Sequence, residues 1–169
     1  MIFVTLGTHH DPFPRLIEGL RTLDGDELVV QHGHSPAPLD AARATRFMPF
    51  EEMLEQIRAA DAVVTHAGVG TILTCLRLGR TPLVVPRQRR LGEHVDDHQV
   101  ELTRALADER KVVPVWDTAD LPKLVEVAPP ARAFDNGAND GFHQAVRDAL
   151  RPAPRRFRRR SKNAVPIAS

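Results

Sequence analysis

A single cysteine, Cys75, is the only thiol in the chain. No disulfide framework can form within it, which fits a reducing compartment. Cys75 falls in an apolar helical pattern, where a small buried hydrophobe is the expected role. No apolar run approaches the ~18 residues that a membrane-spanning helix needs. The opening MIFVTLG lacks the basic segment of a signal peptide, so a cytosolic location is expected. No Gly-Lys-Ser/Thr follows a glycine turn, which excludes a Walker phosphate loop. No GxSxG elbow is present, which excludes that route to a nucleophilic serine.

Basic residues are scarce where a nucleic-acid enzyme would carry them. Residues 151–169 hold seven Arg or Lys and no acid, so the preceding 150 residues carry 16 basic against 22 acidic ones and net −6. Nucleic-acid binding is not expected of such a body. The tail, RPAPRRFRRRSKNAVPIAS, reads either as a disordered solubilising end or as a patch for an anionic membrane surface.

What is present is an alternation of strands and helices. With 169 residues, 42% of them apolar, the chain suits one domain with its own core. The pattern predicts strands over 2–6, 27–33, 61–68, 81–86 and 111–116, with a short one over 45–48. It predicts helices starting at Asp11-Pro12, over 51–60, over 68–78 closed by Gly79, from about Glu93 to Glu109, over 120–127 and over 140–150. The central strands are apolar throughout, as in a parallel sheet covered on both faces. The expected fold is a single α/β domain, a Rossmann-like doubly wound parallel sheet over 1–150, followed by the basic tail 151–169.

In such sheets ligands bind beyond the carboxyl ends of the strands. The segments there are Gly7-Thr8-His9-His10, Gln31-His32-Gly33-His34, His66-Ala67-Gly68 and Pro86-Arg87-Gln88, and they hold five of the eight histidines. THAGVGT, residues 65–71, joins a strand to a helix. Its glycines allow either an anion at the helix N-terminus or tight strand–helix packing. It is not the dinucleotide GxGxxG, since GVGTIL keeps only the first two glycines. PRQRRLGEHVDDHQ, residues 86–99, is the second cluster. Arg87, Arg89 and Arg90 are candidates to face a diphosphate, Glu93 to accept from a ribose diol, and His98 and Gln99 to point back from a helix start. A solvated charged loop is the plain alternative. His94 and His98 are four apart with Asp97 beside them, but HVDDH lacks the base and third ligand of a catalytic zinc site, so no metal is expected.

HAGVGTILTCLRLGRTPLVVPRQRRLGEHVDDHQ resembles the nucleotide-sugar donor region of GT-B glycosyltransferases, in particular glycosyltransferase family 28 and its C-terminal domain. IFVTLGTHHDPFPRLIEGL is similar to the start of that domain in free-standing short subunits, and GEHVDDHQ to the bacterial exopolysaccharide version. The resemblance implies that Gly7 and Thr8 line the cleft near the donor phosphates. His66, Gly68, Gly70 and Thr71 would form the diphosphate turn, with Phe50 or its neighbours near the uracil. Pro86 and Arg87 would shape the sugar pocket, and Glu93, His94, His98 and Gln99 would hold ribose and sugar. Where members often carry a ribose-binding Glu, this chain has Thr74. A GT-B enzyme works between two Rossmann-like halves and this chain has length for one.

The resemblance therefore implies a donor-binding subunit with a membrane-anchored, acceptor-binding partner. It would transfer a sugar from a UDP-sugar to a lipid-linked glycan acceptor with inversion, at the inner face of the membrane, with no cofactor. The proton acceptor would be His10, or its neighbour His9, or a group on the partner. An epimerase half and a non-catalytic UDP-sugar-binding regulator are the competing classes.

Overall fold

The computed structural model describes residues 1–38 and 40–130. The helix predicted over 140–150, the domain boundary at 150 and the basic tail lie outside the described residues. Six strands, β1 (Ile2–Thr5), β2 (Leu28–Gln31), β3 (Arg43–Thr45), β4 (Ala62–His66), β5 (Leu83–Val85) and β6 (Val113–Pro114), form one sheet in the order β3-β2-β1-β4-β5-β6. Every pairing is parallel. The order runs outward in both directions from β1 and β4, so the chain reverses its direction of travel between those two strands. That boundary is the switch point at which doubly wound sheets bind ligands.

Among the described residues, five helices cover the sheet: α1 (Pro14–Leu20), α2 (Phe50–Ala59), α3 (Val69–Arg77), α4 (His98–Asp108) and α5 (Leu121–Glu126). Alternation along the strands assigns them to faces. Ile2 and Val4 of β1, Ala62 and Val64 of β4, and Leu83 and Val85 of β5 pack with Leu16 and Leu20 of α1 and Leu121 of α5. The intervening residues turn the other way. Phe3 and Val63 meet Ile57 of α2 and Cys75 of α3, while Val84 meets Ile72 of α3 and Leu102 and Leu106 of α4. Burial on both faces is why the strands read as unbroken apolar runs. Each such Leu or Ile contributes roughly 1.5–3 kcal/mol by leaving water. Cys75 lies in this core as expected, and burial pushes its thiol up to about 12. Among the described residues, no helix is long and apolar enough to cross a membrane.

Three boundaries differ from expectation. The first helix starts at Pro14 rather than Pro12, because Phe13 precedes a proline and is held at φ −124°, ψ 68°, outside the α region. The third strand lies at Arg43–Thr45, earlier than predicted, since its Val29↔Arg43 to Gln31↔Thr45 register against β2 sets it there. The fourth helix begins at His98, not Glu93. Gly92 adopts φ +70° after a 3-10 turn at Arg89–Leu91, and residues 92–97 form bends instead. His94 and His98 therefore do not share a helical face.

Candidate functional site: a cleft at the switch point

A cleft of about 770 Å³ opens at the carboxyl ends of β1, β2 and β4. Its base is a polar layer set by strand register. Thr5 stands opposite Gln31 on β2 and opposite Thr65 on β4. The Thr5 hydroxyl donates to Gln31 Oε1, and Thr65 Oγ1 donates to the Thr5 carbonyl at 3.1 Å. Gln31 Nε2 donates to the carbonyls of Gly7 (3.0 Å) and Arg46 (3.2 Å), which ties the loop after β1 to the loop after β3.

The glycines of THAGVGT divide their labour. A Cβ on Gly68 would lie 2.4 Å from His66 Nε2, and one on Gly7 would lie 2.4 Å from His66 Cε1. The His66 ring is thus seated against two glycine backbones, and Gly7 additionally holds φ +70°. Here the packing reading is the right one. Gly70 is different, because a Cβ there would meet nothing within 4 Å. Gly68 caps α3 without a side-chain bond, and the first helical amide bond runs from Ile72 to the Gly68 carbonyl at 3.0 Å. Among the described residues, the amides of Val69, Gly70 and Thr71 have no acceptor, and no acidic side chain stands in the first turn. The turn therefore presents donors and a partial positive charge to the cleft.

His66 is 9% exposed, and among the described residues its Nδ1 has no hydrogen-bond partner. Burial, with the nearby Arg87 charge adding to it, pulls its pKa down to about 4. The imidazole is neutral at physiological pH and keeps spare hydrogen-bonding capacity beside the turn.

Of the residues predicted for the site, Gly7, Thr8, His10, Phe50, His66, Gly68, Gly70 and Thr71 line the cleft. His9, Gln31 and Thr74 join them, and Thr74 Oγ1 donates back to the Gly70 carbonyl at 2.8 Å. Phe47, Met48 and Met53, neighbours of Phe50 that the sequence reading did not single out by number for this role, line it too. Their signal was an apolar surplus where β3 runs into α2. Phe50 stays 58% exposed, an apolar surface open to a flat ligand. The His10 ring lies 4.8 Å from that of His34, and desolvation, Arg46 and His10 together lower the His34 pKa. Next to it, His9 Nε2 pairs with Asp11 Oδ2 at 3.0 Å.

Pro86, Arg87, Glu93, His94, His98 and Gln99 do not line this cleft. Arg87 is 1% exposed, and its guanidinium donates to the carbonyls of Asp11, Pro12 and Glu93. Both Glu93 oxygens accept from Arg15, and one also takes the Gln88 amide. Gln99 Oε1 accepts from the Arg87 amide at 3.0 Å. These groups hold loops together, and the expectation that Arg87 faces a diphosphate and Glu93 a ribose finds no support in this geometry. His94 comes nearest, its ring 5.6 Å from that of His9, while both His94 and His98 lean on Asp96.

This cleft, with its anion-ready turn at the switch point, is built by a stretch that has known relatives. Residues 1–128 match the glycosyltransferase family 28 C-terminal domain. The chain belongs to that family. It is 31% identical over 123 residues to the UDP-N-acetylglucosamine transferase subunit ALG13 of Yarrowia lipolytica, covering 63% of this chain and 61% of that protein. Against the subunit of the same name from Cryptococcus neoformans (strain JEC21) it is 37% identical over 97 residues, covering 54% of this chain and 46% of that one. The human subunit is 31% identical over 120 residues, 64% of this chain and 10% of that protein. The chain thus spans less than two thirds of these relatives' length. The crystal structure of the glycosyltransferase SnogD from Streptomyces nogalater aligns with 88% of this chain and 38% of its own, at a TM-score of 0.46 and 17% identity.

Proposed function

We propose that this family 28 chain is the donor-binding subunit of an inverting glycosyltransferase. It takes a UDP-sugar and delivers the sugar to a lipid-linked acceptor held by a membrane-anchored partner. The observation that carries the reading is the mouth of α3. Among the described residues, three amides, of Val69, Gly70 and Thr71, lack acceptors there, with open space over Gly70. A diphosphate satisfies all of these demands at once. The name shared by the relatives, a UDP-N-acetylglucosamine transferase subunit, supports both the donor class and the need for a second chain.

In this reading the donor lies along the cleft. Gly7, Thr8, His66, Gly68, Gly70 and Thr71 border its phosphates, and Phe50 borders its base. When the bond between the anomeric carbon and the phosphate oxygen breaks, negative charge grows on the leaving UDP. The α3 amides and dipole are already aimed at it, so they stabilise the charge without reorganising. The acceptor hydroxyl must surrender its proton to a group within hydrogen-bond reach. His10 at the cleft, its neighbour His9, or a side chain of the partner takes it. The basic run 151–169 would hold the subunit weakly at an anionic inner membrane face.

Calorimetry with UDP, followed by an assay of UDP release from UDP-N-acetylglucosamine with and without the partner-containing membrane fraction, tests this. Binding by the lone chain, with turnover only after the membrane is added, is the expected outcome. Turnover by the lone chain would favour an epimerase-like enzyme, and absence of UDP binding would refute the donor reading.

A further inference from the structure

Arg87 carries the largest fully buried side chain among the described residues. It follows β5 directly, where an arginine invites assignment to an anionic ligand. We propose instead that Arg87 is a positioning residue. With Arg15 and Glu93 it fastens the β1–α1 loop that brings Thr8, His9 and His10 to the cleft, and it does not touch the bound diphosphate. The inference rests on the donor reading of the cleft for its functional meaning, though not for its geometry.

The loop needs such a fastening because of its own sequence. Asp11-Pro12-Phe13-Pro14 contains two prolines, so two of its four residues have no amide to donate. The Phe13 amide is taken by Ser35 Oγ at 2.8 Å. The remaining handles are carbonyls, and carbonyls need donors. Arg87 Nη2 reaches the Asp11 carbonyl at 2.8 Å and Nη1 reaches that of Pro12 at 2.9 Å. A rigid fork that meets two consecutive carbonyls is a guanidinium property that a lysine ammonium lacks. Both Arg87 and Arg15 also stack on the buried Phe13 ring, at 4.5 and 5.3 Å. Arg15 completes the bracket from α1, donating to Glu93 at 2.7 and 3.0 Å and to the Pro86 carbonyl at 2.8 Å. The Glu93 carboxylate thus serves Arg15, while its backbone carbonyl accepts from Arg87 Nη1 at 3.4 Å. Among the described residues, Arg87 Nε and Arg15 Nη1 have no hydrogen-bond partner. Apolar side chains would fill this space without that desolvation penalty, so the arrangement is better suited to placing the loop than to stability alone.

The test uses the full chain with Arg87→Met and Arg87→Lys, read by UDP calorimetry and by amide hydrogen exchange. In both variants the amides of Phe13 and Ile17, which are bonded to Ser35 Oγ and to the Phe13 carbonyl, are expected to exchange at least about tenfold faster, with β1 and β4 amides unchanged and UDP affinity within about threefold of the parent. Lysine keeps the charge and loses the fork, so its failure to restore slow exchange separates positioning from electrostatics. A tenfold or greater loss of UDP affinity in Arg87→Met, with loop exchange unchanged, would make Arg87 a ligand and overturn the inference. So would faster exchange spread evenly through the sheet. If the parent chain itself fails to bind UDP, the donor reading falls, and the loop exchange still decides the fastening.

Discussion

Gly70→Asp separates the anion seat from the fold. Gly70 is the second residue of α3, and apart from its own helix backbone and chain neighbours no atom of the described residues lies within 4 Å of where its Cβ would stand. The new side chain therefore displaces nothing. A carboxylate in the first turn of a helix is favourable by about 0.3–1 kcal/mol, and leaving glycine recovers a few tenths more. Fold stability should stay level or rise slightly. The ligand meets the opposite effect. A carboxylate about 5 Å from one phosphate charge, at an effective dielectric constant of about 20, is repelled by about 3 kcal/mol, or on the order of a hundredfold in affinity. A diphosphate carries more than one charge, and the same carboxylate competes for the free amides, so that figure is a floor. Calorimetry with UDP and with uridine, beside thermal melts, reads both effects. UDP affinity should collapse while uridine, which carries no phosphate, is spared. Gly70→Ala is the neutral control, more stable by about 0.5–1 kcal/mol and far less impaired in binding. If Gly70→Asp bound UDP as well as the parent at an unchanged melting temperature, the turn would not be the phosphate site.

Other substitutions test the rest of the cleft. Gly68→Ala places a methyl 2.4 Å from His66 Nε2. It should lower stability in urea by about 1–3 kcal/mol, with Gly7→Ala costing more because its φ is +70°; a neutral Gly68→Ala would mean that the ring is not seated there. His66 has its folded pKa lowered to about 4 from an ordinary 6.5, so the unfolded chain binds its proton first. Its contribution is complete above pH 6.5 and is lost as pH falls toward 4, by about 3 kcal/mol in total. His66→Asn should flatten the stability profile in that window, and an identical slope in both proteins would contradict the burial argument. Cys75, with its thiol pushed up to about 12, should resist a thiol-specific disulfide reagent at pH 8 until denaturant is added; rapid labelling of the native chain would place it outside the core. Glu93→Gln removes the charged partner of the partly buried Arg15 and should cost about 1–3 kcal/mol, whereas an unchanged melt would show that the bracket is slack.

Reading the residues in order captured the backbone's own requirements. Strand and helix alternation, the glycine stop after α3, and the loops at the carboxyl ends are demands of nearby residues on one another. They were legible together with the segment that forms the cleft. Boundaries failed where a special backbone state intervened, as at Phe13 before Pro14 and at Gly92. The apolar lining from Phe47, Met48 and Met53 was visible as composition and not as a wall.

Charged side chains are where local reading gave out. Arg87 and Glu93 sit in a stretch that looks solvated, and their type alone suits a phosphate or a ribose. Their partners Asp11, Pro12 and Arg15 are 75 to 78 positions away along the chain. Only the pairing of β1 with β4 and of β4 with β5 brings those loops together. The chain by itself determined that a glycine turn would open a helix toward a ligand face, because glycine's freedom and an uncapped helix start act within a few residues. Whether a buried charge is spent on a ligand or on a neighbouring loop was decided by tertiary structure alone, because hydrogen bonding and desolvation depend on what the folded chain places within 3 Å of it.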